Sequence, residues 1–195
     1  VYAQSVEWEQ LTDRAFTPYR PDGVLDLSGI VKAVAIAAAG KLLEDQGPAN
    51  WMLNAGGDLL AAGAAGDGSW RFGIVDPSDR ARLLCAASLE GAQKAVATSG
   101  TSERGDHIWR TNERSDIQQA TVVAGSIEKA DVLATAIVSG GSETMQSVLE
   151  YRDVDVVAVD TQATIWASPR LRCNSTLQAA PQQSPAFSAM KLQTA

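Results

Sequence analysis

Histidine and cysteine are scarce in this chain, at one and two among 195 residues. Cys85 and Cys173 lie far apart, with no Cys-x-x-Cys or Cys/His spacing, which excludes a thiolate zinc centre and a disulfide framework. Both read as plain thiols. Positive charge is also short. Sixteen Lys and Arg against 23 Asp and Glu leave a net charge of -7, the wrong sign for a protein that grips nucleic acid through its phosphates. No nucleic-acid partner is expected, and any bound phosphate must be held locally. The longest apolar stretch, Val31 to Ala39, is interrupted by Lys32 and falls far short of the roughly 20 residues of a bilayer-spanning helix. No transmembrane segment is expected. Neither a basic-then-apolar leader nor a lipid-attachment cysteine opens the chain at Val1, so a cytoplasmic location is expected, with a processed extracytoplasmic form as the alternative. What is present is ordinary: 45% hydrophobic and 20% charged residues, the balance of a globular protein, at a length that suits one domain with a real core.

The pattern along the chain predicts an α+β fold. Val1 to about Arg14 reads as a short helix, and Val24 to Leu27 as a brief strand after the Pro21-Asp22-Gly23 turn. Ser28 is the expected N-cap of a helix from Gly29 to Gln46, with Ile30, Val34, Ala38 and Leu42 repeating every four residues and Gly47-Pro48 ending it. Short apolar runs follow at Trp51–Leu53, Leu59–Ala61, Trp70–Val75, Leu83–Leu89 and Ala95–Ala97, separated by glycines, and these predict an antiparallel meander. Thr98 to Arg114 is polar and aperiodic and reads as a long loop, which is uncommon in a compact domain unless it carries function. Ala120 to Ala124 is a further strand, Ile127 to Ser139 a second alanine-rich helix before Gly140-Gly141, and Glu143 to Glu150 a short third one. Val154 to Val159 and Thr164 to Trp166 read as paired strands; residues 1–166 form the expected domain and 167–195 a flexible tail. The expected architecture is an antiparallel β-sheet packed with two main alanine-rich helices whose starts converge on a cleft.

Several residues along this frame carry chemistry. Asn54-Ala55-Gly56-Gly57-Asp58 sits between two strands, where the glycines permit positive φ and close approach of a ligand; taken alone, it is a tight connection with a solvent-facing Asp58. Thr98, Ser99 and Gly100 offer hydroxyls and flexible amides that can cradle phosphate oxygens, or form a plain polar loop. Asp131 and Thr135, four apart, share one helix face and suit a hard cation such as Mg2+; the simpler alternative is a solvated face with Thr135 bonded back to its helix. Lys32 either snorkels to water or reaches an anionic ligand at the helix start. His107 is the one side chain whose ordinary pKa lies near neutrality.

In order, these segments resemble the ApbE family, the FAD:protein FMN transferases. Asp26-Leu27-Ser28-Gly29-Ile30-Val31-Lys32 is similar to the family's D-L-S/G-G/A-I-A-K stretch, and Asn54 to Asp58 to its N-A-G-G-D turn. Ala97-Thr98-Ser99-Gly100, Glu103-Arg104-Gly105 and His107-Ile108 resemble the A-T-S-G…E-R-G…H-I loop, and Ala130 to Ala136 the A-D-A-L-A-T-A helix. Nothing in the chain resembles the N-terminal segment of longer members, and Trp109 to Glu113 replaces the usual D-P-x-T-G. The resemblance implies an Mg2+-dependent transfer of FMN from FAD, the substrate, to a Thr or Ser hydroxyl of an acceptor flavoprotein bearing a D-G-x-S/T-G-A-T type sequence, with AMP released. It implies Mg2+ held by Asp131, Thr135 and the carbonyls of Gly29 and Ala134, the last requiring a local helix distortion. Asp26, Lys32 and Ile108 then contact the flavin nucleotide beside the Thr98, Ser99 and Gly100 backbone, while His107 and Asp58 handle the acceptor proton. An FAD pyrophosphatase and a non-catalytic flavin-binding protein of the same fold are the alternatives.

Overall fold

A computed structural model describes residues 1–66, 68–100 and 115–171 and the backbone of a strand at 188–190. Its elements in chain order are α1 (Tyr2–Leu11), α2 (Ser28–Gln46), β1 (Trp51–Ala55), β2 (Asp58–Ala62), β3 (Arg71–Val75), β4 (Leu83–Ser88), β5 (Ala95–Gly100), β6 (Ile117–Ala124), α3 (Ile127–Gly140), α4 (Ser142–Val148), β7 (Asp155–Asp160), β8 (Ile165–Ala167) and β9 (Ser188–Met190). Among the described residues seven strands form one antiparallel sheet in the order β1-β2-β5-β6-β7-β8-β9, and β3 and β4 form a separate pair. The expected α+β architecture is present.

Strand alternation sorts the core into two layers. Ala95 and Ala97 of β5, Val122 and Ala124 of β6, and Val156 and Ala158 of β7 face α2 and α3, together with Ala33, Ile36, Ala130, Leu133 and Ile137. The intervening Val96, Val123, Val157 and Val159 face the other way, against Phe72, Ile74, Leu84 and Ala87 of the β3–β4 hairpin. The sheet is therefore covered on both faces, which is why its central strands read as continuous apolar runs. The meander expected over residues 51–97 is corrected accordingly: β2 pairs with β5, and β3–β4 lies across the sheet as a lid on its second face.

The helices differ from expectation in informative ways. α3 starts at Ser126, whose hydroxyl accepts the Lys129 N–H at 3.3 Å, and stops at Gly141 with φ +80°. Ser28 is not a cap: it is the first helical residue of α2, and the Asp26 carboxylate takes its N–H at 2.9 Å. The strand expected at Val24 to Leu27 is only a single bridge between Tyr19 and Leu25. The buried line of α2 is Ile30, Ala33, Ile36 and Gly40, whereas Leu42 is 63% exposed. A strict four-residue repeat turns by about 40° per step around a helix of 3.6 residues per turn, so Ala38 and Leu42 have rotated off the packed face. Gly40 lets α2 lie close on the sheet, since a Cβ there would come within 2.6 Å of Leu60.

Ala167, Ser168 and Leu171 take part in the core. Ser168 Oγ donates to Asp155 Oδ1 at 2.7 Å and accepts the Val156 N–H, Leu171 is buried, and β9 pairs with β8. The expected flexible tail is corrected for these residues; the rest of it, and the loop from 101 to 114, lie outside the described residues. Among the described residues no helix is long and apolar enough to cross a membrane.

Candidate functional site

Asp58 opens β2 on the helix-facing side of the sheet, sharing that face with Leu60, which packs against the α2–α3 layer. It is 1% exposed, so the solvent-facing turn residue expected from its sequence context is in fact buried. The cause is α2, which lies over the face on which Asp58 falls. A buried carboxylate needs partners, and among the described residues Asp58 has two. The Thr98 N–H donates to Oδ1 at 3.3 Å, and the Lys32 ammonium stands 2.5 Å from Oδ2, a charge contact whose angle leaves that oxygen without a well-directed hydrogen bond. Lys32 keeps partial exposure, at 29% of its side chain. It neither snorkels away nor waits alone for an anion; it spans from α2 to the start of β2.

The turn before Asp58 is set by its own sequence. Asn54 Oδ1 accepts the Gly57 N–H at 3.1 Å, and Gly56 and Gly57 take φ of +63° and +94°, where a side chain is strained. At the mouth of α2, hydrogen bonds from the Ser28 hydroxyl and backbone hold the Asp26 carboxyl below its usual range. Asp26 therefore stays ionised at the helix start.

Thr98, Ser99 and Gly100 belong to the end of β5 and sit in register with Thr121, Ala120 and Gln119 of β6. This corrects the flexible loop expected from Thr98 onward, and the ladder fixes where the hydroxyls go. Ser99 faces the helices, where its Oγ lies 3.0 Å from Thr135 Oγ1. Thr98 faces the hairpin side and meets Thr121 at 2.9 Å. Adjacent hydroxyls thus serve opposite faces, and only Ser99 belongs with Thr135.

Asp131 is buried one turn before Thr135, and Ala134 is wholly buried beside it. Thr135 bonds to Ser99 rather than back to its own helix, which leaves hydroxyl lone pairs for a further partner. α3 is helical throughout residues 127–140, so the distortion expected at Ala134 is absent. None is needed, because a helical carbonyl has a second lone pair: Val138 O accepts from Ser115 Oγ at 2.7 Å in this same helix. Gly29 lies in the first turn of α2 with the Phe16 ring beside it, 3.2 Å from where a Cβ would stand. The ligands that the resemblance implies, Asp131, Thr135 and the carbonyls of Gly29 and Ala134, are all oxygen donors with one carboxylate, chemistry that suits a hard cation completing its shell with water or phosphate oxygens. Among the described residues there is no cluster of three or more His, Cys, Asp or Glu.

The structure thus joins Lys32 to Asp58 and Ser99 to Thr135, with Thr98 contributing its amide but not its hydroxyl. The site-facing groups of α3 sit at its centre rather than at its start, where Lys129 instead pairs with Asp153 at 2.7 Å. His107 and Ile108 lie outside the described residues. Sequence reasoning missed the pairing of Ser99 with Thr135 and the burial of Asp58. The signal for the first was the β alternation continuing from Ala95 and Ala97 to Ser99.

Comparison with known proteins places the chain in a family and matches its fold. The ApbE family model matches residues 1–159. FAD:protein FMN transferases of Klebsiella pneumoniae and Vibrio cholerae are 26% and 29% identical over 78% and 71% of this chain, and the chain spans 48% and 45% of their length. An ApbE protein of Thermotoga maritima has the same fold at a TM-score of 0.69 and 21% identity, over 84% of this chain and 72% of that one. The flavin transferase ApbE of Vibrio cholerae does so at 0.67 and 21%, over 90% and 74%. The chain belongs to the ApbE family. It spans about half the length of the curated relatives it matches.

Proposed function

We propose that this chain transfers FMN from FAD to a Thr or Ser hydroxyl of an acceptor protein and releases AMP, with Mg2+ as cofactor. The observation that carries the reading is the buried Asp58–Lys32 pair on the same sheet face as the Ser99–Thr135 contact, an arrangement that places one cation and several oxygen donors beside one another in an otherwise acidic chain. In the reaction, the acceptor oxygen forms a bond to the flavin-side phosphorus, the pyrophosphate P–O bond breaks, and AMP leaves with the electron pair while the hydroxyl loses its proton. Lys32 binds phosphate oxygens from α2. Asp58, already committed to Lys32 and the Thr98 amide, is a positioning residue that fixes the ammonium rather than a free base, and the proton falls to His107. Asp26, ionised at the helix mouth, orients a hydroxyl or ring N–H of the nucleotide. Asp131, Thr135 and the carbonyls of Gly29 and Ala134 would hold Mg2+, which when bound neutralises pyrophosphate charge.

The test is to incubate the chain with FAD and either Mg2+ or EDTA, with and without acceptor, and to quantify AMP, free FMN and protein-bound flavin by chromatography. AMP matched by bound flavin and lost in EDTA is the expected result. AMP with only free FMN would make the chain a pyrophosphatase, and no AMP despite FAD binding would make it a flavin-binding protein.

A further inference from the structure

The face of β5 opposite Ser99 opens onto a second depression. A groove of about 350 Å3 runs between the sheet and β3, with Thr98 and Gln119 on one side, Arg71 and Gly73 on the other, and the Gly56–Gly57 turn along it. Among the described residues β3 pairs with β4 alone, so its second edge carries backbone groups with no strand beside them. The ladder says which groups these are. The Leu89 N–H donates to Trp70 O at 2.9 Å, so Trp70, Phe72 and Ile74 bond toward β4 and the N–H and C=O of Arg71 and Gly73 turn away from it. Gln119 shows where that edge points: its Nε2 donates to Val75 O at 2.9 Å across the groove. A side-chain amide already does at one position what an added strand would do at the others.

Chemistry and charge narrow the occupant. An open edge beside a groove with a glycine at its centre accepts an extended polypeptide through main-chain hydrogen bonds, with little demand on sequence. Arg71 is exposed and makes no salt bridge among the described residues, while the neighbouring Asp76 is turned to Ser78 and Arg82. The free cation therefore favours an acidic residue in the added strand. The groove is also next to the chemistry, since Thr98 lines it while giving its amide to Asp58, and the Gly56–Gly57 turn leads directly into Asp58.

We propose that this groove binds the acceptor polypeptide as an extended strand along the open edge of β3, with an acidic acceptor residue against Arg71, so that a hydroxyl beyond the strand's end reaches over the Gly56–Gly57 turn to the site. This rests on the transferase reading. It divides the two substrates between the two faces of the sheet: FAD on the helix side, acceptor on the hairpin side.

The experiment titrates the full chain into a fluorescently labelled peptide carrying the D-G-x-T-G-A-T sequence, reads anisotropy, and repeats this with the peptide N-methylated at one backbone position at a time. The expected loss alternates, about tenfold at every second position within the docked stretch and little between, because only alternate amides face β3. R71E, at an exposed position, weakens the peptide about tenfold and leaves FAD affinity as in the wild type. Binding indifferent to N-methylation, or reduced equally at every position, overturns the added strand; wild-type peptide affinity in R71E overturns the groove. A peptide that binds with the alternation yet receives no flavin supports the groove and counts against the transferase reading alone.

Discussion

α2 and α3 are both alanine-rich helices, and composition alone would treat them alike, yet they occupy different situations. α3 lies on β5 and β6 with α2 across it, and all but three of its 14 residues are buried. α2 packs on α3 and the β1–β2 edge along one line, leaving Val31 at 47% and Leu42 at 63% exposure. α3 holds the fold together and carries the buried Asp131 and half-buried Thr135 at its centre; α2 positions Lys32 from a helix that is otherwise half open. Apolar content shows that a helix will be packed, and the number of elements around it decides how much of it is.

The comparison can be broken at its strongest point first. Leu133→Ala in α3 empties a fully buried site and should cost about 2–5 kcal/mol, while Leu42→Ala in α2 should stay within about 0.5 kcal/mol. Urea denaturation midpoints of the two variants decide it, and similar losses would mean the two helices are packed alike. Next, Lys32→Met leaves the Asp58 carboxylate buried with only the Thr98 amide, and because Lys32 is partly exposed the expected loss is about 2–3 kcal/mol, restored in large part by adding Asp58→Asn. Failure of the second substitution to recover stability would separate the two residues energetically.

Smaller effects sharpen the picture. A double-mutant cycle with Ser99→Ala and Thr135→Val should give a coupling of about 0.5–1.5 kcal/mol, and a value near zero would mean the hydroxyl contact binds nothing together. The least effect concerns Asp26. Its folded-state pKa is depressed by the Ser28 hydrogen bonds, so its contribution is present above the unfolded carboxylate pKa and is lost as pH falls through the lower folded value. Asp26→Asn should therefore lower stability slightly at neutral pH, change little below the folded value, and so flatten the acid limb measured by thermal melts across that range. An unchanged acid limb would remove the Asp26–Ser28 hydrogen bond from the account.

Much of this was legible in the residues because the signals were local. α3 reads from Ile127 to Ser139 through its apolar stripe and terminal glycines, and the turn at Asn54 to Asp58 through its paired glycines. What was not legible depends on partners distant in sequence. The hairpin's apolar alternation is the same whether it continues a meander or folds across the sheet as a lid, and only packing against Val96, Val123 and Val157 distinguishes them. Asp58 is hidden on the opposite face, under α2 and its Lys32, a partner 26 residues away. Ser28 has the right chemistry for a cap, but the helix begins one residue earlier than expected, at Ser28 itself, and the Asp26 carboxylate accepts the Ser28 N–H. Thr98 and Ser99 read as a loop because hydroxyl residues suit loops and strands alike; the β6 ladder settles their direction.

The central claim is that α2 and α3 present one nucleotide site from the same side of the sheet. The most direct measurement is FAD affinity, by flavin fluorescence, with and without Mg2+ for the wild type, Lys32→Met and Asp131→Ala. The account predicts that Lys32→Met weakens FAD in either condition and that Asp131→Ala abolishes only the gain from Mg2+. FAD affinity that neither substitution alters, in folded protein, would contradict it.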